Sequence, residues 1–153
     1  MNLVPQAAKG RLRRAQEEDL PAILKLEKLS FDKNWDYYHF KASLDDVFLV
    51  YETDRIIGFL IACCCRVANR AMILRVAVHP DHRGRGIATA MILAAIERLK
   101  NMKIGEVELD VDLARPGAMR LYERVGFRVS QLISTDYEDD ETFYIMKMDL
   151  KET

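Results

Sequence analysis

The alternation of apolar and polar side chains sorts most of this chain into strands and helices. Val107 to Leu113 alternates strictly, with Val107, Leu109 and Val111 on one face and Glu108, Asp110 and Asp112 on the other, the period of a half-covered strand. Ile56 to Val67 opens IIGFLIACCC, apolar at consecutive positions, so this strand is expected to be covered on both faces. Phe48–Tyr51 and Met72–Val78 read as further strands, with Thr53-Asp54-Arg55 as a turn. Ile87 to Lys100 sets Ala88, Met91, Ile92, Ala95, Ile96 and Leu99 on one stripe, an amphipathic helix. Glu17 to Leu29 does the same with Leu20, Ile23, Leu24 and Leu26. Pro116 suits the first turn of a short helix that Gly126 ends. Gly10 to Ala15 reads as a short strand, and Phe127–Ser134 with Thr142–Leu150 as a closing hairpin. Phe31 to Phe40, FDKNWDYYHF, has neither period and spans a loop and a helix start.

Met72–Val78, Ile87–Lys100 and Val107–Leu113 follow one another as strand, helix and strand. That is a βαβ unit, so the two strands are expected to be parallel with a right-handed crossover. The fold class is α/β, or α+β, around one mixed sheet flanked by helices. At 153 residues the chain is the length of a single domain, 1–153.

Composition narrows the function. A net charge of −1 argues against general nucleic-acid or anionic-membrane binding, which needs a positive surface. The basic cluster Lys9, Arg11, Arg13 and Arg14 reads as one solvated strand. Cys63, Cys64 and Cys65 stand in a row, where neighbours point to opposite faces, so they read as small apolar residues of a buried strand rather than a disulfide framework. No Cys or His cluster has metal-ligand spacing, so no metal is expected. Met1 to Gly10 lacks the apolar centre of a signal peptide, and no apolar run is long enough for a membrane span. The expectation is a soluble, cytoplasmic protein.

The stretch HPDHRGRGIATA, His79 to Ala90, carries two of the seven glycines between a strand and a helix. A helix start offers free N–H groups and partial positive charge, a ready site for a phosphate or pyrophosphate. Gly84 and Gly86 bare the backbone, and Arg83 and Arg85 can add charge-assisted contacts. A Rossmann fingerprint would need a third glycine where Thr89 stands, and a P-loop would need Gly-Lys-Ser/Thr. The pattern Arg/Gln-x-x-Gly-x-Gly/Ala is met in full by Arg83-Gly84-Arg85-Gly86-Ile87-Ala88.

With that hexapeptide the chain resembles the GNAT superfamily of acetyl-CoA-dependent N-acetyltransferases over nearly its whole length. It is most similar to RimI-type and archaeal-looking protein N-terminal acetyltransferases. The residues behind this are Leu26–Phe31 with Asn34 and Trp35, Ile56–Ile61, Val76–Ala88 and Leu121–Phe127. The resemblance implies a sheet splayed between its fourth and fifth strands, with acetyl-CoA as co-substrate. Backbone groups of Val76, Ala77 and Val78 would pair with the pantetheine arm as if it were an added strand, and amides from Gly84 to Thr89, including Ile87 and Ala88, would hold the pyrophosphate. Tyr122 matches the tyrosine such enzymes place beside the CoA sulfur as general acid. Asp110 stands where they have a glutamate or histidine, one methylene shorter, and so is expected to act through a bridging water.

Amide formation from a thioester needs a neutral amine and a proton for the departing thiolate. An α-amine has pKa about 8, so deprotonation at pH 7 costs only ~1.4 kcal/mol, against ~4.6 kcal/mol for a lysine at about 10.4. A weak base acting through water can therefore serve an N-terminal acceptor. The expected reaction is direct transfer in a ternary complex, without metal or covalent enzyme intermediate, since the cysteines fall mid-strand in an apolar run.

Two departures from the family pattern stand out: Arg115 replaces the usual CoA-contacting asparagine, where it can reach a phosphate or face water, and Lys33 stands where some relatives have a glutamate. On the acceptor side, Asp136 to Glu141 packs five acidic residues into six, a solvated turn or a wall favouring cationic acceptors. Tyr137, Trp35 and Tyr37 are candidates to line that groove. The expected partner is a protein or peptide N-terminus, such as that of a basic ribosomal protein, with the enzyme a monomer or homodimer. A GNAT for polyamines or lysine side chains, and a non-catalytic CoA-binding module, are the rivals.

Overall fold

The computed structural model describes residues 10–113, 115–134 and 142–151. In chain order the elements are β1 (Arg11–Arg14), α1 (Leu20–Ser30), α2 (Tyr37–Ser43), β2 (Val47–Glu52), β3 (Ile56–Cys65), β4 (Arg70–Val78), α3 (Ile87–Asn101), β5 (Glu106–Asp112), α4 (Pro116–Val125), β6 (Arg128–Ser134) and β7 (Thr142–Asp149), with 3-10 turns at Glu17–Asp19 and Pro80–His82. Seven strands form one sheet in the order β1-β2-β3-β4-β5-β7-β6. Only β4 and β5 run parallel; every other neighbouring pair is antiparallel.

Two cores sandwich the sheet. On one face Leu49, Leu60, Val107 and Leu109 meet Ile87, Met91, Ile92, Ala95 and Leu99 of α3, with Leu121, Tyr122 and Val125 of α4 at the margin. On the other, Val50, Phe59 and Ile61 meet Leu20, Ile23 and Leu26 of α1 and Phe40 of α2. β3 is thus covered on both sides, as its apolar run requires. Each fully buried side chain of this size contributes about 1.5–3 kcal/mol of apolar transfer.

Three expectations need correction. The first helix begins at Leu20, not Glu17: Glu17–Asp19 is a 3-10 turn whose Asp19 carboxylate accepts from the Gln16 amide at 2.8 Å. β3 ends at Cys65, because Asn69 takes φ 55 and its N–H closes a turn on the Arg66 carbonyl, a conformation asparagine tolerates better than most residues. Val67, which continues the apolar run in sequence, is therefore fully exposed, at 100%. The cysteines are less buried than expected: Cys63 and Cys64 are half-buried and Cys65 is exposed. Burial pushes the Cys63 and Cys64 thiols up, which keeps them protonated and poorly nucleophilic. The βαβ unit, the final hairpin and the α4 helix ended by Gly126 at φ 126 match the expectation.

Phe40 joins α2 to the sheet, edge-on to Phe59 at 5.6 Å between centroids. Phe40→Ala is expected to cost about 3–5 kcal/mol in denaturant-induced unfolding; a loss below 1 kcal/mol would contradict the second core.

Candidate functional site

The parallel ladder is short. β4 and β5 pair only at Arg70↔Glu106, Ala71↔Val107 and Met72↔Glu108. Just beyond, β3 pairs Ala62 with Ile73 and Ile61 with Arg75, leaving Leu74 as an extra residue in β4. Such a bulge bends and twists its strand. β4 follows β3 as far as Gly58↔Val78, while β5 stays with β7 as far as Asp112↔Phe143. The two halves of the sheet part, and the backbone of β4 from Ile73 onward turns a free edge to the gap. The splay expected between the fourth and fifth strands is present.

Two clefts meet in that gap. One, of about 410 Å³, is lined by Arg75, Asp110, Asp112 and Phe143 among others. The second, of about 1180 Å³, runs along Val76, Ala77 and Val78 to the loop after β4, where His82, Arg83, Gly84, Gly86, Ile87, Ala88 and Thr89 line it. Phe31, Val76, Arg115, Ala118 and Tyr122 line both clefts, so they form the throat between them.

The loop is built by its glycines. Gly84 and Gly86 take φ 77 and φ 79, a region that costs other residues roughly 1–2 kcal/mol. A side chain at Gly84 would meet nothing within 4 Å, so the space before the backbone is open. The first bond of α3 runs from the Ala90 amide to the Gly86 carbonyl, leaving the N–H groups of Ile87, Ala88 and Thr89 to find partners outside the helix. Arg83 folds back, its Nε donating to the Val78 carbonyl at 3.0 Å. Arg85 rests its Nη1 3.3 Å from His82 Nδ1 and, alone among the loop residues predicted to contact a ligand, lies outside the cleft lining.

Desolvation tunes two titratable groups along the passage, half-buried Tyr122 in the throat and the more exposed Asp110 in the smaller cleft. The Tyr122 hydroxyl is pushed up by desolvation, and the Arg115 cation partly opposes this. Tyr122 also packs edge-on to Phe127 at 6.0 Å. The Asp110 carboxyl is pushed up by burial first and by its neighbour Glu108 second. Asp110 and Arg75 lie on the sheet face opposite α3, at the mouth of the smaller cleft.

The residues expected on the acceptor side do not all gather there. Trp35 and Tyr37 line neither cleft; both pack on the second core, and the Tyr37 hydroxyl donates to Glu17 at 3.2 Å. Tyr137 and the acidic run 136–141 lie outside the described residues. The sequence reading missed Glu27 and Arg75. Glu27 is 0% exposed, and its Oε2 accepts from Arg75 Nη2 at 2.9 Å and from the Trp35 amide at 2.8 Å. The guanidinium of Arg75 lies 4.2 Å from the Phe31 ring centroid and 4.9 Å from that of Trp35. Arg75, a charge interrupting the apolar run of β4, was the only signal; Glu27 stands between Lys25 and Lys28 and looks like either of them.

Among the described residues no group of His, Cys, Asp and Glu could hold a metal, and no helix is long and apolar enough to cross a membrane. Residues 11–127 match the model of the acetyltransferase (GNAT) family. An N-alpha-acetyltransferase of Saccharolobus solfataricus is 26% identical over 90% of this chain and 93% of its own length. One from Sulfurisphaera tokodaii is 27% identical over 92% and 95%. The crystal structure of the ribosomal-protein-S18-alanine N-acetyltransferase of Escherichia coli shares the fold, with a TM-score of 0.84 at 21% identity, over 94% of this chain and 96% of that one.

The tuning of Asp110 is open to direct measurement. In an NMR carboxyl titration Asp110 is expected to titrate above the ordinary value of about 3.9. Glu108→Gln should lower that midpoint while leaving it above 3.9, because burial is the larger cause. A midpoint at or below 3.9 in the parent protein would contradict the assignment.

Proposed function

Because the chain belongs to the GNAT acetyltransferase family, we propose that the amine it acetylates is the N-terminal α-amine of a protein, with acetyl-CoA as donor. The observation that carries this reading is the single passage through the split sheet. A free strand edge leads at one end to a glycine-bared helix start, and at the other to a carboxylate.

The residues present fit the donor. Val76 to Val78 lie on the strand edge that β5 leaves without a partner, where the amide groups of a pantetheine arm can pair; the Val78 carbonyl is held by Arg83 Nε. Gly84, Gly86, Ile87, Ala88 and Thr89 line the larger cleft, with open space before Gly84, and the amides of this stretch suit a pyrophosphate. Arg83 and Arg85 add positive charge around it. Arg115, with no hydrogen bond or ion pair from its side chain among the described residues, sits at the throat where an anionic group of the donor can meet it. Acetyl-CoA supplies an acyl carbon activated as a thioester and a thiolate as leaving group.

The chain's own residues then handle two protons. Asp110, which lines the smaller cleft and is more basic than an ordinary aspartate, takes a proton from the ammonium through a water. The half-buried Tyr122 keeps its hydroxyl proton at neutral pH, gives it to the departing thiolate and recovers the second proton that the nitrogen sheds as the amide forms. The products are an amide and free CoA thiol. An α-amine at pKa about 8 asks little of such a base, which favours this acceptor over a lysine. The N-alpha-acetyltransferase relatives support the same choice. We place the reaction in the cytoplasm, with a protein or peptide start as partner; a basic ribosomal protein would suit the acidic run 136–141.

Acetylation of a peptide library, with mass spectrometry to locate the acetyl group, is expected to find it on α-amines. Turnover only on polyamines or lysine side chains would overturn the acceptor assignment, and binding of acetyl-CoA without any turnover would overturn catalysis. Tyr122→Phe is expected to lower kcat by about 10²–10⁴-fold, the span of general acid catalysis, while acetyl-CoA affinity stays within about threefold. Equal losses in both would contradict the acid role.

A further inference from the structure

Glu27 is a fully buried carboxylate that lines neither cleft, and nothing in the chemistry above uses it. Its Oε2 gathers the Trp35 amide at 2.8 Å and Arg75 Nη2 at 2.9 Å, while the same Nη2 donates to the Lys33 carbonyl at 3.0 Å. One nitrogen and one oxygen thus tie three segments together: α1, the 31–36 loop and β4. The Asn34 amide, turned to satisfy its neighbours, adds donations to the Glu27 and Phe31 carbonyls at 3.0 Å each. Phe31 and Trp35 close on the guanidinium from the loop side.

The knot does not read as a device for stability. A buried ion pair recovers little more than its desolvation penalty, and well-packed apolar replacements are often as stable. Here the pairing is also incomplete: Glu27 Oε1 and Arg75 Nε are buried without a partner among the described residues. What the pair does fix is position. Arg75 lines the smaller cleft and directly precedes Val76, where the free edge of β4 enters the throat. It is also the first residue after the extra Leu74 of the bulge. Phe31, held against it, lines both clefts.

We infer that Glu27 and Arg75 are positioning residues for the acceptor: their buried pair locks the wall formed by the 31–36 loop in register with the β4 edge, so that the incoming amine meets the acyl carbon. This deepens the proposed function and rests on it. The lock acts on the acceptor side of the throat and leaves the phosphate loop untouched. It should therefore govern how well a peptide is used, not how tightly the donor is held.

The test compares the parent enzyme with Glu27→Leu/Arg75→Met, which removes both charges at similar volume, and with Arg75→Lys, which keeps the charge but loses the fork and the stacking. The readouts are melting temperature, acetyl-CoA affinity by calorimetry, and KM and kcat for a peptide that the parent acetylates. For the double variant a peptide KM raised about tenfold or more is expected, with donor affinity within about twofold. Arg75→Lys should retain part of the peptide affinity and fall between the two. Peptide kinetics like the parent's in either folded variant would overturn the inference, as would parallel losses for peptide and donor. If the double variant does not fold, Arg75→Lys decides alone by the same split. Failure of both to fold would make the pair a structural element and overturn the positioning role. A parent enzyme inert toward every peptide is a separate result: it would defeat the acceptor assignment before the lock is in question.

Discussion

The short β4–β5 ladder is the constraint on which the site depends. A sheet gains by pairing every backbone N–H and C=O, and buried groups left unpaired are costly. This one stops after Met72↔Glu108 and leaves the rest of β4 with an open edge in the middle of the molecule. The break is tolerated because each half is secured elsewhere. β4 is held by β3 and both cores, and β5 by β7 along its whole length. The bulge at Leu74 lets β4 diverge without losing its pairing with β3. An open edge inside a fold is a place where an extended ligand with amide groups can complete the sheet, and the pantetheine arm of acetyl-CoA has that character.

The rest of the site is arranged along the line that this gap opens. Glycines at left-handed φ turn the loop into α3, whose first residues line the larger cleft. Arg115 and Tyr122 stand where the clefts join, and the cation moderates the effect of burial on the phenol. Asp110 holds the far side, with its proton affinity raised. The passage runs from a loop lined by backbone and arginine, past half-buried Tyr122, to a mouth lined by Asp110 and Asp112.

Much of this was legible from residue patterns. The period-two alternation of 107–112 placed Asp110 on the face away from α3, and the Arg83–Ala88 hexapeptide marked the loop that lines the larger cleft. What escaped was long-range. Glu27 reads as one more charged residue on an amphipathic helix, and Arg75 as an interruption in a strand. Only the bulge at Leu74, which no local pattern announces, swings Arg75 across to face α1. Trp35 and Tyr37 were read as groove residues from their aromatic character. The structure packs both on the second core, with Trp35 also against the Arg75 guanidinium. Val67 misled in the opposite sense: its apolar neighbours suggested more strand, while the left-handed Asn69 had already ended it.

Hydrogen–deuterium exchange with and without acetyl-CoA tests the central claim most directly, because it reads the open edge itself. Slowed exchange is expected at the amides of Val76 to Val78 and of Gly84 to Thr89, with little change in β1 and β2. Exchange that is unaltered along β4 and the loop while acetyl-CoA is bound would contradict the account.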